Sequence, residues 1–365
     1  MTNLKVLIAN DGYHAHFFER KAWLNAFNNI PGVQAVMYEC KNQGAFDVFN
    51  SYEPDIFIGQ LYNLDSATIK CIKNRPWMKV ALRAGDWGTQ TKEIDFTHFN
   101  PLTTNTDQVK LLEQLKKETG QPEFIFCHYL QDDMFSTHNY FESELGIKPV
   151  SIMLCADIHS YYNGTYDPRL ACDIGFVGGY WPYKGIIIDQ MLTPLCYPVG
   201  KYNIKIFGNQ AWPHVNQYCG HLDEEMVKNL FASATICPNL SEPHAHAYGI
   251  EINERSFKIL CAGGFCIADN VLSHQKIFQD GVVFADSPND FREKIEFFLK
   301  NPDLRSPIVK RGQEIVLNNH TNFHRASQFL KHFGYDTLAQ KSIEVATSLI
   351  SAIDSHKIQG IITTC

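Results

Sequence analysis

A pair of glycines follows a short apolar segment in the second half of the chain. The run 173–184 reads DIGFVGGYWPYK, in which a strand pattern ends at Gly178 and Gly179 and a helix begins near Lys184. Because glycine has no Cβ, backbone amides can approach an anion closely at such a turn, and a lysine adds a point charge. The pattern predicts a phosphate-binding turn; a glycine turn that binds no ligand is the alternative.

Charged residues cluster at the start of a helix further along the chain. The run 249–270 reads GIEINERSFKILCAGGFCIADN and places Glu254, Arg255 and Lys258 in the first turns of a helix whose later part is apolar. Charges near a helix N-terminus can bind ribose hydroxyls and phosphates. Capping by Asn253 beside a solvent-exposed charged face is the alternative.

Polar residues also follow other strand patterns in this half. Glu242 and His244 come after a strand near residue 237, and His244 and His246 form a His-x-His pair. Zinc needs a third protein ligand, and no matching cluster is visible, so no metal is expected and a carboxylate and an imidazole beside a substrate pocket are the better interpretation. The candidate donor-binding residues of the second half are Gly178, Gly179, Tyr180, Lys184, Gly208, Asn239, Glu242, His244, Glu254, Arg255 and Lys258.

The first half carries its own polar strand ends. The run 10–14 reads NDGYH after the first strand pattern, with one glycine rather than GxGxxG, and the run 78–88 reads MKVALRAGDWG. The candidate general bases are Asp86, Asp11 and His14. The candidate acceptor-binding residues are Gly12, Tyr13, Arg83, Trp87 and His128, of which Trp87 offers a stacking surface. A tight turn, an Arg83–Asp86 pair that tethers a loop and a hydrogen-bonded core histidine are the alternatives.

Strand and helix patterns alternate along the whole chain, which is typical of parallel sheets covered by helices. The predicted strands are 4–9, 33–38, 55–59, 79–83, 123–129, 149–155, 174–177, 202–207, 235–237, 265–268 and 282–284. The predicted helices are 14–28, 107–119, 183–191, 223–232, 253–262, 287–300, 308–318, 323–332 and 338–353. A polar, aromatic stretch around 161–168 interrupts the alternation and predicts a connection between domains.

Length and composition narrow the class of protein. A chain of 365 residues fits two α/β domains, and 45% hydrophobic with 19% charged residues excludes a disordered chain. No apolar run approaches the roughly 18 residues that span a membrane, and no secretory signal is visible. The cysteines occupy apolar positions, which predicts buried thiols in the cytoplasm. A net charge of −7 argues against binding that depends on neutralising nucleic-acid phosphates.

Residues 173–330 resemble the C-terminal domain of the CgeB-like (spore-maturation-protein-like) glycosyltransferases, which have the GT-B fold. The matching pieces are DIGFVGGYWPYKG (173–185), IKIFG (204–208), the run 236–270 and VVFADSPNDF (282–291). The resemblance implies an α/β protein with two doubly wound, Rossmann-like domains that face a central cleft. It implies an acceptor-binding domain at 1–165, a nucleotide-sugar-binding domain at 166–335 and a tail at 336–365 that packs back on the N-terminal domain.

The chain departs from this family at two acidic positions. Many relatives carry R-x-F-E before the glycine turn, with a glutamate that binds the donor ribose, whereas this chain reads Arg255-Ser256-Phe257-Lys258. Retaining relatives have a second glutamate eight residues earlier, where this chain has Ile250. The resemblance therefore implies that Arg255 and Lys258 balance the donor diphosphate, and it does not indicate a retaining reaction.

These observations predict a glycosyltransferase that moves a sugar from a nucleoside-diphosphate donor, UDP-sugar before others, to a hydroxyl acceptor without a metal or a bound cofactor. The acceptor that we expect first is a carbohydrate or a peptide-linked glycan. A hydroxymethylated base in DNA is an alternative, because phage DNA glucosyltransferases share this fold and size. A non-catalytic nucleotide-sugar-binding module is a second alternative, since the family glutamates are absent. The sequence specifies no oligomeric state.

Overall fold

The first part of the chain folds around a parallel sheet whose strands are short apolar runs. A computed structural model describes residues 3–12, 14–61, 64–84, 106–250 and 252–364. The strands are β1 (Leu4–Asn10), β2 (Val33–Glu39), β3 (Ile56–Gln60), β4 (Lys79–Arg83), β5 (Phe124–Cys127) and β6 (Lys148–Ser151). All neighbours pair in parallel, in the order β2-β1-β3-β4-β5-β6. Parallel strands are covered on both faces, which explains why β1 and β3 are almost continuously apolar.

Helices connect these strands. They are α1 (His14–Asn29), α2 (Ala45–Tyr52), α3 (Ser66–Lys73), α4 (Thr106–Thr119) and α5 (Gln131–Leu145). The eight-residue helices α2 and α3 were not predicted, since they are too short to show a clear helical period. The start of α3 nevertheless has a local cause, because the Asp65 carboxylate accepts a hydrogen bond from the Thr68 amide at 2.6 Å.

The second part of the chain repeats this architecture. Its strands are β7 (Cys172–Val177), β8 (Ile204–Phe207), β9 (Ala234–Asn239), β10 (Cys266–Asp269) and β11 (Val283–Ala285), all parallel in the order β11-β10-β9-β7-β8. Its helices are α6 (Ile158–Tyr161), α7 (Pro182–Met191), α8 (Glu224–Ser233), α9 (Pro243–Tyr248), α10 (Glu254–Cys261), α11 (Leu272–Phe278), α12 (Pro288–Lys300) and α13 (Arg305–Asn319). Two further helices, α14 (Asn322–His332) and α15 (Asp336–Thr364), end the described chain. Each predicted strand overlaps an observed one.

The chain divides into two units at positions that differ from the predicted domain limits. The first unit contains the described residues up to Met153 together with Asn322–Ser351, and the second contains Leu154–Thr321 and the described residues after Ser351. The sequence had placed the first boundary at 165/166 and had assigned 322–335 to the second domain. Phe329 of α14 instead packs against Trp23 and Phe126, with ring centres 5.0 Å and 5.1 Å apart. The apolar face of α14 is thus buried in the first unit.

Candidate functional site

In the second unit, three neighbouring strands end at residues that were predicted to bind a ligand. Gly178 follows β7, Gly208 follows β8 and Asn239 ends β9. The Gly178 amide donates to the Phe207 carbonyl at 2.9 Å, and a Cβ on Gly208 would lie 2.6 Å from the Gly178 carbonyl oxygen. The prediction that the Gly178 amide binds a phosphate is therefore wrong, because the amide is already used between β7 and β8. The carboxyl ends of these strands still meet at one edge of the sheet.

Arg255, in the first turn of α10, lies against this edge. Its Nε donates to the Val177 carbonyl at 2.9 Å, its Nη1 donates to Asn239 Oδ1 at 3.3 Å, and its guanidinium stacks 4.5 Å above the Phe176 ring. Burial lowers the pKa of Arg255 to about 10, so the side chain stays charged at neutral pH. A Cβ on Gly178 would approach Arg255 Nη2 to 2.7 Å, which explains the glycine there.

Two hydrogen-bond donors beside Arg255 have no acceptor among the residues that the structure describes. One is Nδ2 of Asn239, a side chain that is 0% exposed. The other is the amide of Gly179, for which the described chain offers no acceptor. Gly179 is partly exposed, whereas Asn239 is buried, and a buried donor without an acceptor costs about 1–3 kcal/mol. A fixed cation next to two unused donors is an arrangement that suits an anion with several oxygens.

Lys258 and Glu254, also on α10, are engaged with each other. Lys258 Nζ lies 2.6 Å from Glu254 Oε2 and 4.9 Å above the Tyr161 ring. Burial disfavours the charged form of Lys258, but the Glu254 carboxylate and the Tyr161 phenol raise its pKa overall. These contacts hold Lys258 against α6, whereas Arg255 contacts β7 and β9. The structure does not bring the two cations to one point.

Tyr180, Glu242 and His244, three further predicted residues of this unit, contact neighbouring side chains. The Tyr180 hydroxyl donates to Asp189 at 2.7 Å, and the burial of Tyr180 together with Asp189 raises its pKa to about 12. His244 is buried and stacks on Tyr183, with its Nδ1 3.2 Å from the Tyr183 hydroxyl and 3.9 Å from Glu242. The predicted roles of these residues in donor binding stay predictions. Lys184 lies in the first turn of α7.

The first unit contains a carboxylate–imidazole pair that the sequence did not reveal. Asp11 directly follows β1, is 1% exposed and lies with its Oδ2 2.8 Å from Nδ1 of His16. Arg83, at the end of β4, places its Nη1 3.3 Å from the other ring nitrogen, Nε2. Burial lowers the pKa of His16, Asp11 acts against that change, and the charges of Arg83 and Arg20 reinforce it. His16 is consequently a neutral imidazole at neutral pH.

A second histidine also contacts Arg83 and extends the group formed by Asp11, His16 and Arg83. His128, after β5, has its Nε2 2.8 Å from Arg83 Nε and 2.8 Å from Glu19 Oε1. Glu19 also forms an ion pair with Arg20, and both side chains are buried. Burial opposes the charged form of Glu19, but the guanidiniums of Arg20 and Arg83 hold the pKa of this carboxyl well below its usual range.

The structure says less about the other residues of the first unit that were predicted to bind the acceptor or to act as a base. Gly12 is exposed and takes the left-handed conformation that glycine favours, with φ +76°. Tyr13, Asp86 and Trp87 lie outside the described residues, as does the side chain of His14 at the start of α1. Their predicted roles stay predictions.

Glu19 gives a testable consequence for stability. We expect Glu19→Gln to lower the free energy of unfolding by about 3 kcal/mol at pH 7, because Arg20 loses its buried carboxylate. Since the folded-state pKa is the lower one, this contribution is present above about pH 4.5 and is lost as the pH falls further. Urea unfolding of both proteins at pH 7 and pH 4 measures it. Glu118→Gln, which removes an exposed carboxylate paired with Lys73, is the control and should change little. An equal effect of the two substitutions at pH 7 would contradict this account.

No group of three His, Cys, Asp or Glu side chains in residues 3–12, 14–61, 64–84, 106–250 and 252–364 is close enough to hold a metal ion. None of the described helices is long and apolar enough to cross a membrane.

Part of the chain matches a known protein family. Residues 189–331 match the family described as glycosyl transferase-like, a range that contains β8 to β11 and α10 with Arg255. No curated protein matches the chain. The prediction of a glycosyltransferase is confirmed at this family level, while the CgeB-like subtype stays a prediction.

Solved structures resemble the whole chain in fold. Sucrose-phosphate synthase from Thermosynechococcus elongatus is 10% identical, with a TM-score of 0.61 over 91% of this chain and 98% of that one. A putative UDP-N-acetylglucosamine 2-epimerase from Listeria monocytogenes is 10% identical, with a TM-score of 0.58 over 91% and 97%. T4 phage BGT, solved with its UDP-glucose substrate, is 12% identical, with a TM-score of 0.50 over 93% and 99%. The predicted fold class, GT-B with two Rossmann-like domains, is confirmed.

Proposed function

We propose that this chain, a GT-B protein with a glycosyl transferase-like second unit, transfers a sugar from a nucleoside-diphosphate donor, with UDP as the first choice, to a hydroxyl acceptor. The observation that carries the proposal is the anion-binding arrangement at the ends of β7 and β9. There Arg255 is held by the Val177 carbonyl and by Asn239, beside two donors that lack acceptors within the described chain. A diphosphate supplies the oxygens that these groups need.

Arg255 would act on the leaving group. In a single displacement the acceptor oxygen bonds to the anomeric carbon while the bond from that carbon to the diphosphate oxygen breaks. The electron pair stays on the diphosphate, so its negative charge grows in the transition state. A cation that is already fixed by Val177 and Asn239 stabilises that charge without reorganising. We propose that Arg255 does this without a metal ion, and that activity therefore persists in excess EDTA.

His16 would accept the proton of the acceptor hydroxyl. Asp11 was predicted as a base itself, but it is buried and contacts His16 Nδ1 at 2.8 Å, which suits a residue that orients the imidazole. With a proton on Nδ1, the Nε2 lone pair is the basic site. Asp86 is the alternative base, and His14 is a third candidate.

The acceptor is proposed to carry a neutral hydroxyl, as in a glycan or a glycosylated peptide. Within the described part of the chain, the cluster around His16 contains two carboxylates, Asp11 and Glu19, and two guanidiniums, Arg20 and Arg83. A balanced cluster suits a neutral group better than an anionic one. A hydroxymethylated DNA base is the second candidate, and a net charge of −7 argues against it. A salt-dependent gel shift with modified duplex DNA separates the two. The free thiols of the described cysteines are in keeping with a cytoplasmic enzyme.

A panel of nucleoside-diphosphate sugars tests the proposal. The full chain is incubated with each donor and with candidate glycans, and released nucleoside diphosphate and sugar product are quantified. Transfer that depends on an acceptor supports the proposal. Thermal stabilisation by a donor without any release indicates the binding module, and a recovered nucleotide-sugar of altered configuration indicates an epimerase. Either outcome overturns the assignment as a transferase.

A matched pair of glycine substitutions probes the diphosphate site. We expect Gly178→Ala to weaken donor binding by about tenfold, because its Cβ would meet Arg255 Nη2 at 2.7 Å and Phe176 at 2.9 Å and push the guanidinium away. Gly179→Ala meets only Asn209 Oδ1 at 3.3 Å and should have a smaller effect. Calorimetric titration with UDP compares them, and a larger loss in Gly179→Ala would move the phosphate site away from Arg255.

A further inference from the structure

Arg83 occupies an unusual place in the first unit, between two histidines. It ends β4 and is 3% exposed. Its Nη1 lies 3.3 Å from His16 Nε2, and its Nε lies 2.8 Å from His128 Nε2. The sequence suggested that this arginine contacts the acceptor. Its burial and its two imidazole contacts indicate a different task.

The contacts of His16 determine where its proton resides. A guanidinium can only donate hydrogen bonds, so the nitrogen that faces Arg83 must present a lone pair. The proton of the neutral ring is then on Nδ1, where Asp11 Oδ2 accepts it at 2.8 Å. The two partners, one on each ring nitrogen, therefore select the same tautomer.

Arg83 also opposes the effect of Asp11 on the protonation of His16. Among the residues that the structure describes, the charged groups with the largest effects on the pKa of His16 are Asp11, Arg83 and Arg20. A buried carboxylate beside an imidazole favours the imidazolium, which has no lone pair and cannot act as a base. A guanidinium close to Nε2 disfavours that second proton. His16 thus keeps the orientation that Asp11 gives without remaining permanently protonated.

We propose that Arg83 is a positioning residue that holds His16 as the neutral, Nδ1-protonated imidazole, so that its Nε2 is ready to take the acceptor proton. The inference rests on the proposed role of His16 as the base. At 3.3 Å the Arg83 contact is longer than the 2.7–2.9 Å of a tight charge-assisted bond, so an incoming hydroxyl can replace it.

The surroundings fix Arg83 in this position. His128 accepts from Arg83 Nε, and the other nitrogen of its ring, Nδ1, lies 2.8 Å from the Ile152 carbonyl. Glu19 Oε1 lies 2.8 Å from the same His128 Nε2. His128 and Glu19 are buried, so the guanidinium has little freedom to turn away from His16.

Nuclear magnetic resonance of the full chain with ¹⁵N-labelled histidine tests the inference without any enzymatic readout. His16→Gln identifies the His16 signals. In the wild-type protein at pH 7 we expect His16 to be neutral with its proton on Nδ1. A His16 that is protonated on Nε2, or that is an imidazolium at pH 7, overturns the inference, and this measurement needs no substitution of Arg83.

The titration of His16 in variants of Arg83 gives a second test of the inference. Arg83→Gln keeps hydrogen-bond donors but removes the charge, so the His16 titration should move to higher pH, whereas Arg83→Lys should leave it closer to wild type. Arg75→Gln is the matched control, since Arg75 is another buried arginine of this unit and bonds to Cys71 and Asn50 instead. A His16 titration that does not move in Arg83→Gln overturns the inference. If Arg83→Gln does not fold, the tautomer of His16 measured in the wild-type protein tests the inference by itself.

The pH dependence of kcat/KM for sugar transfer tests whether the effect of Arg83 on His16 matters for catalysis. A base must be neutral, so kcat/KM rises with pH through the His16 pKa. Arg83→Gln should move this rise to higher pH and lower kcat/KM about tenfold on its acid side, whereas Asp11→Asn should move it to lower pH. A shift of the His16 titration with an unchanged pH profile would refute His16 as the base while leaving the Arg83–His16 coupling intact.

Discussion

Substitution of His16 by glutamine is expected to lower kcat for sugar transfer by about a hundredfold to ten-thousandfold, the usual contribution of a positioned general base. The affinity for UDP should not change, because the groups proposed to bind the diphosphate are Arg255, Asn239 and Gly179. Steady-state kinetics with saturating donor, together with calorimetry of UDP binding, measure the two quantities separately.

Two variants make this result specific. His332→Gln removes another histidine of the first unit, one whose pKa burial also lowers, and it should leave kcat near the wild-type value. Asp86→Asn tests the alternative base and should be similarly harmless. If Asp86→Asn abolishes turnover while His16→Gln retains it, Asp86 is the base and the role of His16 is refuted.

Substitution of Arg255 by methionine is expected to weaken UDP binding by about tenfold to a hundredfold, as loss of a charge-assisted hydrogen bond in a buried site does. The donor KM should rise and kcat should fall as well, because the same cation stabilises the growing charge on the diphosphate. Arg255→Lys should recover only part of the affinity, since an ammonium cannot reach the Val177 carbonyl and Asn239 with the same planar fork.

Arg305→Met is the matched control in the same unit. Arg305 also donates to a carbonyl, that of Phe298 at 2.8 Å, and burial also lowers its pKa, but it lies at the start of α13. Thermal unfolding of both variants separates loss of binding from loss of structure. Equal UDP affinities of wild type and folded Arg255→Met would place the diphosphate elsewhere. A Lys258→Met variant that loses more affinity than Arg255→Met would return that role to Lys258.

The strands and the residues that follow them could be predicted because their causes are local. Apolar runs such as Leu4–Asn10 form buried parallel strands, and parallel strands place their carboxyl ends at one edge of a sheet. For this reason Arg255, Asn239 and Gly178 could be predicted from the sequence as donor-binding candidates. It could not tell that the Gly178 amide pairs with Phe207, because that bond joins two strands whose register is set by tertiary packing.

Other features depend on contacts that the local sequence does not show. Glu19 and Arg20 were not singled out from the sequence, and they are buried because α1 turns that face towards Arg83 and His128. His16 lies five positions after Asp11, and only the turn at Gly12 and the direction of α1 bring the two side chains together. The helix α14 was predicted, but it was assigned to the second domain, whereas Phe329 packs against Trp23 and Phe126 of the first unit.

A structure of the full chain with UDP tests the central claim most directly. The account predicts that the diphosphate lies within hydrogen-bonding distance of the Arg255 guanidinium, and that its oxygens accept from Asn239 Nδ2 or from the Gly179 amide. UDP bound in another place, with Arg255 still contacting only Val177, Asn239 and Phe176, would contradict it.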